Sequence, residues 1–485
     1  MASGNAPALR SPVPRVWVSA RVYAIPLALL LAMTLPHLGQ GDWRTDTGRY
    51  AAIGLQAWED GYFWVLRTHP DHPWFNKPPL AIWIHGLALH LAGPFLLVAR
   101  LPSVAAAAMT LLATIWMLRA TSGRNAALTA GVVLALTYEY FRRTREVSLD
   151  LWQLFFLVAS AGAWLRALLG RRPQRWGGIA GIFLGLALLC KPLVALVAIP
   201  LFAASAFAAA RPSRLVPLVT VLALALAVAA PWHLSMVALH GDAFTAQYFG
   251  AEIADRAAGQ IRAQPPWYYL SIIAETYWPW LVPFILGIIP AVRGRLGRSP
   301  AGARFAVIWF VGWLLLISIF PDKAPRYAIV LYPASAWIAA LALATRAAGK
   351  ARRLGRRGLV PFTLAVCLGA AVFAAIPVRV QRPPDPAWIG AFEVITAQPG
   401  RPVASIDIDT NQGGRFRLRG LPWPTPIQDP SQAPPGALIL RTPEPGAPTP
   451  PGERLVYQQG RVMLTEREEQ GEVTRTAPHL PPPED

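Results

Sequence analysis

Three charged side chains in one short stretch are the first candidates for chemistry in this sequence. Asp46 and Arg49 are three residues apart in "WRTDTGRY", so a helix would place them on one side. Lys77 precedes Pro78 and Pro79 where "WFNKPPLAIW" passes into an apolar run. A carboxylate can accept a proton, and guanidinium and ammonium groups can bind an anion. Taken singly, they suit a helix cap, a solvated arginine and a snorkelling lysine. Their occurrence in one loop makes them candidates for a site.

The composition indicates what kind of molecule must position these residues. The chain has 485 residues, of which 54% are hydrophobic and only 15% charged, whereas a soluble domain carries about a quarter charged residues. The mean hydropathy is +0.37. Most of the apolar runs are long enough to cross a membrane as helices. They are residues 22–38, 97–118, 126–137, 149–169, 176–190, 192–210, 214–232, 269–290, 304–320, 327–345 and 358–378. We therefore expect a polytopic α-helical membrane protein with about eleven transmembrane helices.

The net charge of +19 is distributed in a way that indicates topology. Short loops rich in Lys and Arg mark the cytoplasmic side of a membrane protein. Segments with several basic and no acidic residues are 119–125, 166–175, 211–214, 293–304 and 346–357. The N-terminal stretch is also basic, so we expect a cytoplasmic N-terminus. The basic balance then reports orientation, and no nucleic-acid partner is expected.

The same rule assigns the remaining connections to the outer side. These are 39–96, 138–150, 233–268, 321–326 and the region after 378. The alternation closes only if 79–93 does not cross, so we expect a helix lying at the membrane interface there. We divide the chain into a membrane domain at 1–378 with outer loops 39–96 and 233–268, a small soluble domain at 379–475, and a disordered tail at 476–485. The predicted strands of the soluble domain are "RPVASIDID", "RFRLRG", "GALILRT" and "ERLVYQQGRVMLTERE".

A series of motifs resembles one family of membrane enzymes. The pattern D-x-x-R-Y at 46–50, followed by K-P-P-L at 77–80, resembles the first periplasmic loop of bacterial aminoarabinose transferases. These belong with the protein O-mannosyltransferases among membrane glycosyltransferases of the GT-C fold. Further stretches resemble the family in the same order. They are "RTREVSLDLWQLFF", "LLCKPLVALV", "PWHLSMVALHGDAFTAQYFGAEIADR" and "SIFPDKAPRYAIVLYPASAWIAAL". The resemblance covers roughly residues 20–345, and it implies a GT-C fold with a small C-terminal periplasmic α/β domain.

The resemblance implies an inverting glycosyltransferase in the bacterial inner membrane. It would move a sugar from a polyprenyl-phosphate donor to a lipid or glycan acceptor, such as one like lipid A, on the periplasmic face of the cell envelope. Its partners would be the donor, the acceptor and membrane lipids. Three alternatives stay open: transfer to a peptide hydroxyl as in protein O-mannosyltransferases, a lipid-sugar flippase or other transporter, and a degenerate relative that only binds.

The resemblance also implies catalytic carboxylates, ligands of the donor phosphate and substrate-binding side chains. In that order they are Asp46 and Asp150; Lys77, Arg49 and Arg256; and Tyr50, Tyr327, Lys323 and Arg326. With a hydroxyl acceptor Asp46 would act as general base, and with a phosphate acceptor it would orient the acceptor or the sugar. Asp150 has an alternative role, which is charge balance with Arg142, Arg143 and Arg145.

The sequence departs from the family pattern at positions that bear on a metal. Thr47 and Asn76 stand where many relatives carry Glu, and Ala251 or a neighbour stands where they carry His. No cofactor is certain on this pattern, and a divalent metal stays open. Other residues of a type that binds metal lie in the second outer loop without metal-like spacing. They are His233, His240, Glu252 and Asp255.

Overall fold

The computed structural model describes residues 15–43, 45–69, 72–254, 263–354, 385–408 and 410–467. The chain forms two compact units, one of residues 1–40 with 50–381 and the other of 41–49 with 382–485. Arg256, the predicted span at 358–378 and the predicted tail at 476–485 lie outside the described residues.

In its described residues the first unit is mainly helical, with a short hairpin of β1 (Arg67–His69) and β2 (His72–Pro73). Its helices up to the middle of the chain are α1 (Arg15–Thr34), α2 (Thr45–Glu59, which begins in the second unit), α3 (Leu80–Ala92), α4 (Leu96–Thr121), α5 (Arg124–Ala135), α6 (Tyr138–Arg142), α7 (Leu149–Leu169) and α8 (Pro173–Leu188). The helices that follow are α9 (Pro192–Leu196), α10 (Ala198–Ala208), α11 (Val216–Thr245), a π-helix (Ala246–Ala254), α12 (Tyr268–Thr276), α13 (Trp278–Val292), α14 (Pro300–Ile319), a 3₁₀ helix (Pro325–Leu331) and α15 (Tyr332–Leu354).

Several of these helices meet the requirements for crossing a membrane. Within the described ranges, 5 are long and apolar enough, or 6 if the bent pair α12–α13 counts as one span. Helix α7 coincides with the predicted run 149–169, and α3 occupies the stretch predicted to lie at the interface. The fold is that of a polytopic helical membrane protein, and the count of about eleven spans stays a prediction.

Close contact between α8 and α11 depends on small residues. A Cβ added at Gly181 would lie 2.6 Å from the carbonyl oxygen of Val221, and one at Gly177 would lie 2.9 Å from that of Pro217. Glycines at intervals of four residues let two backbones approach closely where lipid provides no hydrophobic drive for association. On its other side α8 packs on α7, where Ser160 Oγ donates to the carbonyl of Ala180 at 2.8 Å.

Two segments differ from the sequence expectation in their helical structure. The run 269–290, predicted as a single span, forms α12 and α13 with a bend of 117° between them. Pro279 follows the break, and proline disfavours helical conformation in the residue before it. The second outer loop, predicted to begin at 233, continues α11 as far as Thr245 and then enters the π-helix.

The second unit contains a mixed five-stranded sheet in the order β4-β3-β5-β7-β6. The strands are β3 (Val403–Ser405), β4 (Thr425–Pro426), β5 (Leu438–Arg441), β6 (Glu453–Gln459) and β7 (Val462–Arg467), and the helices are α16 (Pro386–Thr396) and α17 (Thr410–Arg417). The described part of this unit thus contains both helices and strands. One predicted strand, "RFRLRG", is wrong because its first residues end α17. Phe416 is fully buried there and packs on Phe392 of α16, with ring centroids 4.9 Å apart. Packing of the helix therefore overrides the alternating local pattern.

Candidate active site

One cleft in the first unit collects charged and polar side chains from separate parts of the chain. Its volume, with its open mouth, is about 1040 Å³. The lining residues are Asn76, Lys77, Pro78, Asp150, Gln153, Lys191, Pro192, Leu193, Val194, Tyr248, Leu316, Ile317, Phe320, Asp322, Tyr327, Ile329 and Val330. Two cations, two carboxylates and two tyrosines thus share the cleft with a wall of aliphatic and aromatic side chains.

Lys77 reaches this cleft from the connection between β2 and α3. Its Nζ donates to the carbonyl of Asn76 at 3.1 Å. The backbone N–H of Leu80, at the start of α3, donates to the carbonyl of Leu189 at 3.2 Å. Because Leu189 directly follows α8, this bond ties the Lys-Pro-Pro turn to the segment that carries a second lysine.

That second lysine, Lys191, forms an ion pair with Asp150. Asp150 lies in the first turn of α7, where the helix dipole favours a carboxylate. The backbone of Lys191 is held by Gln153, whose Nε2 donates to its carbonyl at 2.7 Å. The Lys191 ammonium also lies 5.5 Å from the ring centroid of Tyr327, within the range of a cation–π contact.

Arg142 and Arg143, which were predicted as possible charge partners of Asp150, form ion pairs with glutamates. Arg142 Nε donates to Glu139 at 2.8 Å, and Arg143 Nε donates to the same carboxylate at 2.6 Å. Arg143 also contacts Glu146 at 2.8 Å. Burial alone would raise the pKa of Glu139, but the hydrogen bond from Arg142 and the charges of both arginines lower it overall. The direct charge partner of Asp150 is instead Lys191.

The three predicted substrate-binding residues from the late motif differ in their surroundings. Tyr327 lines the cleft, whereas Lys323 and Arg326 are not among its described lining residues. Lys323 is 2% exposed, and its Nζ donates to the carbonyls of Gln264 at 3.1 Å and Phe320 at 2.7 Å. Burial lowers the pKa of Lys323. Arg326 stacks near the Tyr327 ring at 5.5 Å. Lys323 thus joins two chain segments.

The first motif occupies the beginning of α2. Asp46, in the first turn, lies on the same side of the helix as Arg49, as the spacing predicted, and forms an ion pair with it. Tyr50 is buried, and its ring packs edge-on against Trp74 with centroids 6.0 Å apart. The Trp74 ring thus packs against the ring that carries the Tyr50 hydroxyl.

The segment leading to Asp46 belongs to the second unit and is anchored within it. Asp42 Oδ2 lies 3.1 Å from Arg415 in α17, and both side chains are buried. The Arg415 guanidinium also lies 5.2 Å from the ring centroid of Trp388. The sequence offered no sign of this ion pair, because its partners are far apart in the chain.

Sequence reasoning missed four polar side chains of the cleft: Lys191, Gln153, Tyr248 and Asp322. A signal for Lys191 was present, because "LLCKPLV" repeats the Lys-Pro arrangement of the first motif at the end of an apolar run. Gln153 is three residues from Asp150 and so shares its helix side. Tyr248 had no comparable signal, since its position depends on the π-helix.

Among the residues that the structure describes, no group of three or more His, Cys, Asp or Glu side chains that could hold a metal occurs. His233 uses Nδ1 toward the carbonyl of Ala229 and Nε2 toward the hydroxyl of Tyr248, each at 2.9 Å. The side chains of Glu252 and Asp255 lie outside the described part of the second loop.

Comparisons with known proteins agree with the motifs. The family model for dolichyl-phosphate-mannose-protein mannosyltransferases matches residues 76–234. The undecaprenyl phosphate-alpha-4-amino-4-deoxy-L-arabinose arabinosyl transferase of Erwinia tasmaniensis is 29% identical over 320 residues, covering 63% of this chain and 56% of that protein. The enzyme of the same name from Pectobacterium carotovorum is 30% identical over 336 residues, covering 65% and 58%. The match therefore spans less than two thirds of the length of these relatives.

Solved structures give the fold. ArnT from Cupriavidus metallidurans bound to undecaprenyl phosphate superposes with a TM-score of 0.74 at 18% identity, covering 93% of this chain and 98% of that one. The archaeal oligosaccharyltransferase AglB from Archaeoglobus fulgidus gives a TM-score of 0.57 at 14% identity, covering 87% and 65%. The comparisons thus agree with the resemblance found in the sequence: the chain has the GT-C fold of these membrane proteins and is similar in sequence to the aminoarabinose transferases.

Proposed function

We propose that this protein transfers a sugar from a polyprenyl-phosphate donor to a lipid or glycan acceptor at the periplasmic face of the bacterial inner membrane. The observation that carries the proposal is the composition of the cleft. Lys77 and Lys191 provide positive charge for a phosphate, while Leu193, Ile317 and Phe320 belong to an apolar wall suited to a polyprenyl chain. A soluble nucleotide-sugar donor would not need such a wall.

The relatives support this substrate class. Those named above act, by their names, on undecaprenyl phosphate-alpha-4-amino-4-deoxy-L-arabinose. The ArnT structure of the same fold was solved with undecaprenyl phosphate. We extend the donor class to this chain and leave the identity of the sugar to experiment.

The cations of the cleft would act on the leaving group. As the glycosidic C–O bond breaks, the bonding electrons stay with the phosphate oxygen, and negative charge builds up there. Lys77 and Lys191 would stabilise that charge, and one preorganised contact of this kind is worth roughly 3 kcal/mol of barrier. Arg49 and Arg256 are proposed as further phosphate ligands because a guanidinium fork suits phosphate oxygens.

The carboxylates would have separate roles. Asp46 would take the proton from a hydroxyl of the acceptor molecule. The oxygen of that hydroxyl would attack the anomeric carbon from the side opposite the phosphate, which inverts the configuration at that carbon. With an anionic phosphate acceptor, Asp46 would instead orient the acceptor. Asp150 would act by holding the Lys191 ammonium in the cleft. Tyr50 and Tyr327 are proposed to contact the sugar or the phosphate.

A peptide hydroxyl is the second candidate acceptor. The family model that matches residues 76–234 describes protein mannosyltransferases, which favours this candidate. A lipid A-like acceptor remains the main proposal because the aminoarabinose transferases match a longer part of the chain.

We further propose a topology with about eleven spans, a cytoplasmic N-terminus and the C-terminal α/β domain in the periplasm. It rests on the basic, acid-free segments and on helices such as α4, α7 and α14. Single-cysteine labelling from outside intact spheroplasts should mark sites in the C-terminal domain. Labelling only after the membrane is opened would contradict this orientation.

The activity can be tested with purified protein in nanodiscs. Radiolabelled undecaprenyl-phosphate sugars, including the aminoarabinose and mannose derivatives, would be incubated with lipid A or with a membrane protein extract. Asp46→Asn and Lys77→Met should each abolish transfer. Asp60→Asn is the matched control, because it removes one carboxylate charge at an exposed position directly after the same helix α2.

Lys77→Met should also weaken binding of undecaprenyl phosphate, whereas Asp46→Asn should keep it. Transfer by Asp46→Asn at the wild-type rate would reduce Asp46 to a helix cap. Donor binding by wild type without any transfer would favour a flippase or a binding scaffold.

A further inference from the structure

The π-helix that follows α11 brings into the cleft a side chain, Tyr248, that was not among the predicted site residues. The chain bends at Gly241, with φ 49° and ψ −123°, and then runs as a π-helix through Ala246–Ala254. π-Helices are rare and occur frequently at functional sites. Gln247 accepts a hydrogen bond from the backbone N–H of Phe75 at 3.2 Å. Tyr248, the next residue, lines the same cleft as Lys77 and Lys191.

The ring of Tyr248 is held firmly in place. It is 3% exposed and stacks on Phe244, with centroids 4.8 Å apart and an interplanar angle of 21°. The edges of Trp232 and Phe249 meet it at 6.1 and 5.1 Å. A ring packed in this way presents its hydroxyl at one defined place.

His233 determines the direction in which that hydroxyl donates. The Nδ1 atom of His233 lies 2.9 Å from the carbonyl oxygen of Ala229, and a carbonyl can only accept, so Nδ1 carries the hydrogen. In the neutral ring Nε2 is then an acceptor. Since Nε2 lies 2.9 Å from the hydroxyl of Tyr248, the hydroxyl proton is donated to it. Because its proton is directed to His233, the phenolic oxygen can act toward a further group only as an acceptor.

We propose that Tyr248 recognises the sugar of the donor, by accepting a hydrogen bond from a sugar hydroxyl or ammonium group, and that His233 is its positioning residue. This inference rests on the proposed function. The direction in which the Tyr248 hydroxyl donates its proton determines whether it suits the phosphate or the sugar of the donor lipid. A phosphate oxygen also only accepts, so it gains nothing from an acceptor, and Lys77 and Lys191 already provide it with cations. A sugar hydroxyl or a protonated amine is the complementary donor.

The test compares binding of bare undecaprenyl phosphate with binding of the undecaprenyl-phosphate aminoarabinose and mannose derivatives, all in nanodiscs. Wild type should bind at least one sugar derivative more tightly than the bare lipid. Tyr248→Phe should lower affinity for that derivative about threefold to tenfold, as expected for one hydrogen bond, and leave the bare lipid unchanged. Tyr277→Phe, which removes another buried tyrosine hydroxyl outside the lining of the cleft, is the matched control.

Two substitutions of His233 separate positioning from packing. His233→Gln keeps an acceptor for the tyrosine proton and should retain most of the preference for the sugar derivative. His233→Leu removes the acceptor and should lose as much of that preference as Tyr248→Phe. Equal effects of the two substitutions would assign His233 to packing and overturn its proposed role.

The outcomes also separate this inference from the proposed function. An equal loss of both ligands in Tyr248→Phe, or no loss at all, would overturn sugar recognition while donor binding stands. Equal binding of all three lipids by wild type would overturn it in the same way. Failure of wild type to bind any of the lipids would overturn the proposed function together with this inference.

Discussion

The ion pair between Lys191 and Asp150 provides the sharpest test of the cleft. Its side chains are 13% and 12% exposed, so both charges are largely removed from water. Lys191→Met keeps most of the volume of the stem but removes the ammonium, which leaves the Asp150 carboxylate without its direct partner. Breaking a buried pair from one side costs about 3–5 kcal/mol. Asp150→Asn should be costly for the same reason, because it leaves the ammonium buried.

The double variant Lys191→Met/Asp150→Asn removes both charges and should recover most of that loss. We expect an interaction energy of at least 2 kcal/mol in the double-mutant cycle, whereas independent sites add to within about 0.5 kcal/mol. The free energy of unfolding would be measured by titration with denaturing detergent in mixed micelles. Transfer should be lost in Lys191→Met and in the double variant, because the proposed phosphate site needs the ammonium itself. It should also be lost in Asp150→Asn, because the ammonium is then no longer held in position by its partner.

Two results would refute this reasoning. Additive losses in the cycle would mean that the two charges do not meet in the folded protein. Recovery of both stability and transfer in the double variant would show that the pair has a structural role alone, and that Lys191 does not act on the leaving group.

Three further predictions concern other parts of the chain. Arg142 and Arg143 hold the pKa of Glu139 below the usual value of 4.5. The ionised Glu139 side chain therefore stabilises the folded protein fully above pH 4.5. This stabilisation is lost as the pH falls through the lowered pKa. Glu139→Gln should therefore destabilise at pH 7 and flatten the fall in unfolding free energy below about pH 4.5; an unchanged acid profile would contradict this. Gly181→Ala places a Cβ 2.6 Å from a backbone oxygen of α11 and should cost about 1–3 kcal/mol. Gly178→Ala on the same helix, whose nearest atom is a side-chain carbon at 3.2 Å, should cost less, and equal losses would argue against the close helix contact. Arg415→Met leaves the buried Asp42 carboxylate without the cation 3.1 Å away; we expect faster proteolysis of the segment before α2 than in wild type, and equal cleavage rates would contradict the anchoring contact.

Sequence and structure agree best for the apolar segments, where the lipid environment by itself favours a helix. The run 149–169 coincides with α7, and 97–118 falls within α4, because a chain in lipid must satisfy its backbone hydrogen bonds within each helix. Hydropathy does not report direction, so the bend of 117° within 269–290 was not predicted. The strand predicted at "RFRLRG" failed for a related reason, since contacts with α16 determine its conformation.

The sequence by itself determined the class of protein, the apolar segments and the placement of Asp46 and Arg49 on one side of a helix. Spacing is sufficient for that pair, because residues three apart share a side of any helix. Only the tertiary structure decided that Asp150 pairs with Lys191 and not with the nearer arginines, and that Tyr248 enters the same cleft. Those contacts join residues that are distant in the chain. They depend on how α7 and α8 pack and on where the π-helix turns the backbone, which local residue types do not specify.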